Sequence, residues 1–416
     1  MGLLSGGLNG RRFRLSTQLP GGFRDTFMAA VREHAFVADL EASDAEPRVG
    51  WVHAFDPALA AFELNDFLFD RFVVLTMRID KKAVNGAYAK IAVAQRVAEV
   101  KAERGVEKLA KSDTEMIKEA LTAELHRRAL PSVGTVDVAW DTVTGELILF
   151  TTSENNLELV RALFGETFEL DLRPERLCDW LSDKFGRREI VDRVEGFLPD
   201  ARGAAGTGMS LDGWHEDDPL EGALQPLASD FLTWLWLQSE SSDGHFRVLD
   251  SQGHHASIDK FEAVDDDDEW NDITETLRHA DLTLWLEGQL KLVSLDAEVP
   301  ETTVVVGEAP TTSHAARHDL QMGKRPVDIT LGLKLDELEC RMTLSATPDG
   351  LAIKGLKLPF EVKKGTDEKV FERMMLLDLV HTTVKQLFQQ FFLARTSPAW
   401  RDRVNAWMVD ELVAAK

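Results

Sequence analysis

Apolar positions along the chain change period several times, and each change predicts an element. In "RRFRLS", Phe13 and Leu15 alternate with arginines, the two-residue period of a strand. From Phe23 the period lengthens. Phe23, Phe27, Val31 and Ala35 share one face of a predicted helix in "FRDTFMAAVREHAF". "VGWVHAF" and "RFVVLTMRID" return to strand-like runs rich in Val and Phe. Ala83 to Arg104 then places Val84, Tyr88, Ile91, Val97 and Val100 at helical spacings, and Gly105 is a predicted helix C-cap. Ser112 and Glu115 match the capping box S-x-x-E, in which the hydroxyl and the carboxylate satisfy each other's backbone amides. They predict the start of a second helix, with Ile117, Leu121 and Leu125 on one face. That helix ends before Pro131, because the residue preceding proline is pushed out of the helical region. Residues 83–130 are thus a predicted αα-hairpin with a short basic turn.

Two alternating runs around "TVTG" predict a β-hairpin in "TVDVAWDTVTGELILFTT", and "NNLELVRALFGETF" a helix closing that unit. Between Pro199 and Ser229 the pattern dissolves into Gly, Pro and Asp, as in a linker or surface insertion. "ASDFLTWLWLQSE" predicts a core helix, and "FEAVDDDDEW" an acidic loop. "LTLWLEGQLKLVSL" and the stretch from Val327 to Phe360 predict antiparallel strands, followed by long amphipathic helices at 367–395 and 397–415. The fold class expected is α+β, with an αα-hairpin inserted into a β-rich region and a C-terminal antiparallel sheet with helices.

At 416 residues the chain exceeds one ordinary core, so two or three domains are expected. No apolar run approaches the ~20 residues of a membrane span. The N-terminal arginines follow a short apolar stretch, the reverse of a secretory signal, so no export is expected. Cys178 and Cys340 alone build neither a disulfide scaffold nor a zinc site, and fit a reducing cytosol. Charge is unevenly placed. The whole chain is −24, yet Lys81 to Arg128 holds 11 Lys/Arg against 7 Asp/Glu, a local balance of +4.

Catalytic motifs are scarce. "GAAGTG" at Gly203–Gly208 lacks the Lys-Ser/Thr of a phosphate-binding loop. His314 and His318 have i, i+4 spacing but no glutamate between them, so surface histidines are expected. Asp265–Asp268 lacks calcium-loop spacing. Pro348-Asp349 followed by Glu361-Val362-Lys363 has the PD…E-x-K form of Mg²⁺-dependent nucleases, where two carboxylates hold the metal and the lysine sits near the attacking water. The competing expectation is that "TPDG" is simply a β-turn between strands. No cofactor and no metal are expected. The sizeable basic concentration runs from Arg78 through the hairpin. Arg78, Lys81, Lys82, Lys90, Arg96, Arg127 and Arg128 are the candidate nucleic-acid contacts, weighed against an ordinary solvated helix face.

The order "MRIDKKAVNGAYAKIAVAQRVAEVKAERG", a basic turn, "IKEALTAELHRRALPS" and "AWDTVTGELILFTTS", with "GWV" at Gly50–Val52 upstream and "LKLP" at Leu356–Pro359 downstream, resembles the RdgC family of recombination-associated proteins. The resemblance implies a cytoplasmic, nucleoid-associated, non-enzymatic protein that binds double-stranded DNA without sequence preference. It implies a horseshoe protomer forming a ring-shaped homodimer, DNA passing through a basic hole, and restraint of the RecA recombinase. On that pattern residues 1–80 and 131–185 are a central domain, 81–130 a helical-hairpin tip, and 186–416 a base with an acidic insertion near 199–229. Where the family has a basic residue and an aromatic after the proline, this chain has Ser132 and Gly134, and Arg127 and Arg128 are placed to substitute. The alternatives are the Mg²⁺ nuclease using Asp349, Glu361 and Lys363, and an acidic protein-interaction module.

Overall fold

The computed structural model describes residues 3, 6–16, 23–38, 46–61, 63, 66–69, 71–194, 224, 226–241, 245–249, 279–294, 300–335, 338–347, 350–358 and 367–414. The strands are β1 (Leu8–Leu15), β2 (Arg48–Val52), β3 (Leu68–Phe69), β4 (Phe72–Lys82), β5 (Pro131–Asp141), β6 (Glu146–Leu149), β7 (Leu172–Pro174), β8 (His245–Leu249), β9 (His279–Val293), β10 (Thr302–Gly307), β11 (Arg325–Leu335), β12 (Leu338–Thr347) and β13 (Gly350–Lys357). The helices are α1 (Phe23–Glu33), α2 (Gly86–Arg104), α3 (Lys111–Arg128), α4 (Glu154–Phe168), α5 (Leu177–Ser182), α6 (Arg187–Val194), α7 (Leu227–Ser241), α8 (His314–Gln321), α9 (Asp367–Arg395) and α10 (Trp400–Ala414). The chain is mixed α/β with antiparallel sheets. It divides into one unit of Leu15–Leu172 and another of Met1–Arg14 with Arg173–Lys416. Among the described residues no helix is long and apolar enough to cross a membrane.

In the Leu15–Leu172 unit the strand order is β6-β5-β4-β2, with β3 also on β4. The β5–β6 turn is fixed by Asp141, whose Oδ1 accepts from the amides of Val143 (2.9 Å) and Thr144 (3.2 Å), and by Gly145 at φ 73°. Aromatic rings make the core. Phe27 of α1 stacks on Phe168 of α4 at 5.1 Å, and Trp140 meets Phe164 edge-on at 5.4 Å. Trp51 is fully buried, and its indole N–H donates to Thr167 Oγ at 2.8 Å, which resolves the cost of burying that polar atom.

Gly50 explains the "GWV" string. The chain at Ala35–Phe36 lies directly against it, with Phe36 N donating to Trp51 O at 2.9 Å and Trp51 N to His34 O at 3.0 Å. A Cβ at Gly50 would stand 2.5 Å from Phe36 Cα.

In the other unit the order is β10-β9-β11-β12-β13-β1, with β8 also on β9. The β12–β13 ladder closes at Thr347↔Gly350, the antiparallel pairing expected around "TPDG"; Pro348 and Asp349 themselves lie outside the described residues. One face carries Leu284, Leu290, Ile329, Leu331, Leu333 and Met342, all buried. Helices α7 and α9 supply the rest of this core. Phe231 meets Phe388 edge-on at 5.3 Å, and Phe391 lies 5.5 Å away. On α9, Val370, Met374, Leu377, Val380, Val384, Phe388 and Phe391 are buried at three- and four-residue intervals, a helical core stripe. The tryptophan-dense α7 is the core helix that its sequence predicts.

The capping box is a correction. Helix α3 begins at Lys111 with Ala110 as N-cap and no side-chain cap bond, so Ser112 lies inside the first turn. Arg104 at the end of α2 pairs at 2.6 Å with Asp113 in the first turn of α3. A carboxylate in the first turn is favoured by the helix dipole.

Candidate nucleic-acid interface

β4 and β5 pair without interruption from Phe72↔Asp141 to Lys82↔Pro131, and the α2–α3 hairpin is inserted at the Lys82/Pro131 end. Both ends of α2 follow from single residues. Asn85 Oδ1 accepts from the amides of Ala87 (3.0 Å) and Tyr88 (3.2 Å), satisfying two otherwise unpaired helix donors. Gly105 takes the left-handed conformation at φ 65°. Its amide bonds Ala102 O, and that of Val106 bonds Lys101 O, a Schellman closure. Of the residues in α2 and α3 only Val100 is buried; Tyr88, Ile91 and Met116 are exposed.

The seven candidate cations fall into three groups. Arg78 and Lys82 are engaged inside the fold. Arg78 makes a two-pronged bond to Asp80, Nε–Oδ1 2.7 Å and Nη2–Oδ2 2.8 Å, and lies 4.4 Å from the centre of the Phe36 ring. The Asp80 hydrogen bond raises the Arg78 pKa above its ordinary value, against an opposing contribution from burial. Lys82 is 7% exposed and donates to the Arg127 carbonyl at 3.1 Å, fixing the end of α3 to the end of β4.

Arg96 and Arg128 are exposed but paired. Arg96 bonds Glu99 at 2.8 Å, and Arg128 bonds Glu124 at 2.6 Å. The Glu99 hydrogen bond, with the charge of Glu103, raises the Arg96 pKa. Exposed pairs of this kind are weak, typically about 0–1 kcal/mol, so a phosphate can exchange for the carboxylate. Lys81, Lys90 and Arg127 form the third group. They are exposed, and none of the described acidic side chains pairs with them. Lys81 and Arg127 both lie at the ends of the segments that meet at the hairpin base, where Lys82 donates to the Arg127 carbonyl. Lys90 lies in the first turns of α2.

Ser132 and Gly134 stand beside this group on β5, opposite Lys81 and Ile79. Ser132 Oγ donates to Lys81 O at 2.9 Å, so it closes the ribbon at that position. Gly134 is exposed, and a Cβ there would meet only Ile79 O, at an ordinary 3.9 Å. Its lack of a side chain is therefore not imposed by packing.

Among the described residues no three His, Cys, Asp or Glu side chains are placed to hold a metal ion. His314 and His318 lie on α8. Burial, then Glu339, pushes the Cys340 thiol up to about 12, so it is inert at neutral pH. Asp349, Glu361 and Lys363 lie outside the described residues, as do Gly203–Gly208 and Asp265–Asp268.

A family model described as "Putative exonuclease, RdgC" matches residues 9–178. Over that stretch the chain is RdgC-like. The match spans the whole Leu15–Leu172 unit, including the β4–hairpin–β5 insertion that carries all seven candidate cations. No curated protein matches the chain.

Proposed function

We propose that this chain is a sequence-independent double-stranded DNA-binding protein, acting as a ring-shaped homodimer in the nucleoid and restraining RecA-dependent recombination without catalysis. The observation that carries the reading is the set of exposed cations Lys81, Lys90 and Arg127 on one RdgC-like insertion of a chain whose net charge is −24. Arg96 and Arg128 join them by exchanging exposed carboxylates for phosphate. Lys82 holds the hairpin base in place for the others, while Arg78 is engaged by Asp80 and Phe36. Contacts of this type go to phosphate and carry no sequence information. A ring reconciles them with the acidic total: positive charge lines the hole and negative charge faces outward.

Topology tests the ring. Protein bound to plasmid at low salt is challenged with high salt, on closed circles and on linearised DNA. A closed ring stays on the circle and runs off the linear form. Equal loss from both refutes encirclement, and light scattering at the protomer mass, with and without duplex, refutes the dimer. The exonuclease description gives a second reading. End-labelled duplex incubated with Mg²⁺ separates the two, with Asp349→Ala as control: shortening that the substitution abolishes assigns catalysis to the Asp349, Glu361 and Lys363 set. The third reading, an acidic module occupying a basic partner, requires capture of nucleic-acid enzymes in the absence of DNA.

A further inference from the structure

Strand β10 is an outer strand of its sheet. It pairs with β9 in regular register from Thr302↔Val293 to Gly307↔Gly288, and among the described residues no strand lies on its other side. Its sequence, TTVVVG, has no charge and no proline. Val304 and Val306 are 50% and 74% exposed. The opposite face is anchored: Thr303 Oγ donates to Asp319 of α8, and Lys324 Nζ donates to Thr303 Oγ at 3.0 Å. Natural sheets protect such edges with lysine, proline, a bulge or a very short strand, because free N–H and C=O groups template another strand. Here six β-branched or small residues run straight with none of these.

The ends of the strand choose the partner. Glu301 and Glu308 flank it, both exposed; Glu301 is 74% exposed even with Lys324 at 3.5 Å. If a second copy added its own β10 antiparallel in full overlap, Glu301 would stand opposite Glu308 at both ends. Like charges directly opposite destabilise a strand pair. We propose that β10 receives an extended segment of another protein as an added strand, with β-branched or apolar residues in the middle and Lys or Arg at both ends. Main-chain bonds would supply the affinity, and the two carboxylates the choice. This edge is independent of the DNA-binding reading.

The test uses the full chain and a fluorescent peptide, Lys-Val-Thr-Val-Thr-Val-Thr-Lys, whose ends stand opposite Glu308 and Glu301 in antiparallel overlap, followed by anisotropy at low salt. The proposal expects saturable binding, at least tenfold weaker for the same peptide with glutamate ends and for a peptide N-methylated at alternate residues. Val306→Lys places a charge on the edge at an exposed site and should weaken binding at least tenfold with the melting temperature unchanged. Glu301→Lys with Glu308→Lys should reverse the preference between lysine- and glutamate-ended peptides. No saturable binding, indifference to the end charges, or a Val306→Lys affinity within twofold of the parent would overturn it. So would a concentration-dependent dimer that Val306→Lys abolishes, which would assign the edge to a second copy.

Discussion

Replacing Gly50 by alanine places a methyl group 2.5 Å from Phe36 Cα, 2.7 Å from Phe36 N and 3.1 Å from Ala35 C. Carbon atoms pack at about 3.5–4.0 Å, so the Ala35–Phe36 backbone must retreat by roughly 1 Å. Backbone cannot rotate aside as a side-chain tip can. The retreat stretches Phe36 N–Trp51 O and Trp51 N–His34 O, now 2.9 and 3.0 Å. It also lifts the Phe36 ring from Arg78, 4.4 Å below its centre. Overpacking costs about 1–3 kcal/mol, and each hydrogen bond about 1 kcal/mol net. The expected total is about 2–4 kcal/mol, or roughly 4–16 °C of melting temperature for a domain of this size. Scanning calorimetry reads it, with Gly134→Ala as the exposed control, expected within about 0.5 kcal/mol. A Gly50→Ala protein melting within 1 °C of the parent would refute the claim that this glycine is there for close backbone approach.

Glu175 is completely buried, with His381 Nε2 at 3.0 Å and Arg14 Nη2 at 3.0 Å. Burial alone would raise its pKa; His381, then Arg12 and Arg14, outweigh it and hold the carboxyl well below the usual range. A depressed carboxylate stabilises the fold above its unfolded pKa, about 4.3, and loses that contribution as pH falls through the folded value. Glu175→Gln should therefore cost about 3–5 kcal/mol near pH 7, with the gap from the parent closing below about pH 4; urea titrations showing a constant gap would count against the pairing. Gly332→Ala would bring a Cβ within 2.2 Å of the Trp285 indole, which then gives up its 3.1 Å bond to Glu287, an expected loss of about 1–3 kcal/mol in urea unfolding. Arg127→Glu should weaken DNA binding more than Arg128→Glu, because Arg128 already shares its charge with Glu124 at 2.6 Å; equal effects in anisotropy would remove that distinction.

The parts of the fold that the sequence discloses are those set by neighbours along the chain. Asn85 and Gly105 bracket α2 through bonds spanning a few residues, and both are visible as a cap residue and a glycine at the right places. The turn around Gly145 is legible for the same reason. Ser112 and Glu115 mislead because S-x-x-E can lie at the cap or just inside the first turn. Here the helix starts at Lys111, so Ser112 is its second residue and caps nothing. The candidate cations show a deeper limit. Counting charge finds the basic segment but not which charges are already engaged. Besides its bond to Asp80 on the same strand, Arg78 lies under the Phe36 ring, and Lys82 donates to the Arg127 carbonyl; the last two contacts exist only once distant strands and helices are assembled. The open set of Lys81, Lys90 and Arg127 is therefore a product of the fold.

Salt dependence of duplex binding tests that set most directly. For a phosphate-bound protein, log K falls against log salt concentration with a slope of about −0.9 per phosphate contact. Replacing Lys81, Lys90 and Arg127 together by alanine should reduce the slope by about 2.7 per protomer, with circular dichroism and melting unchanged. A variant that binds with the parent's slope would contradict the assignment of DNA binding to the hairpin.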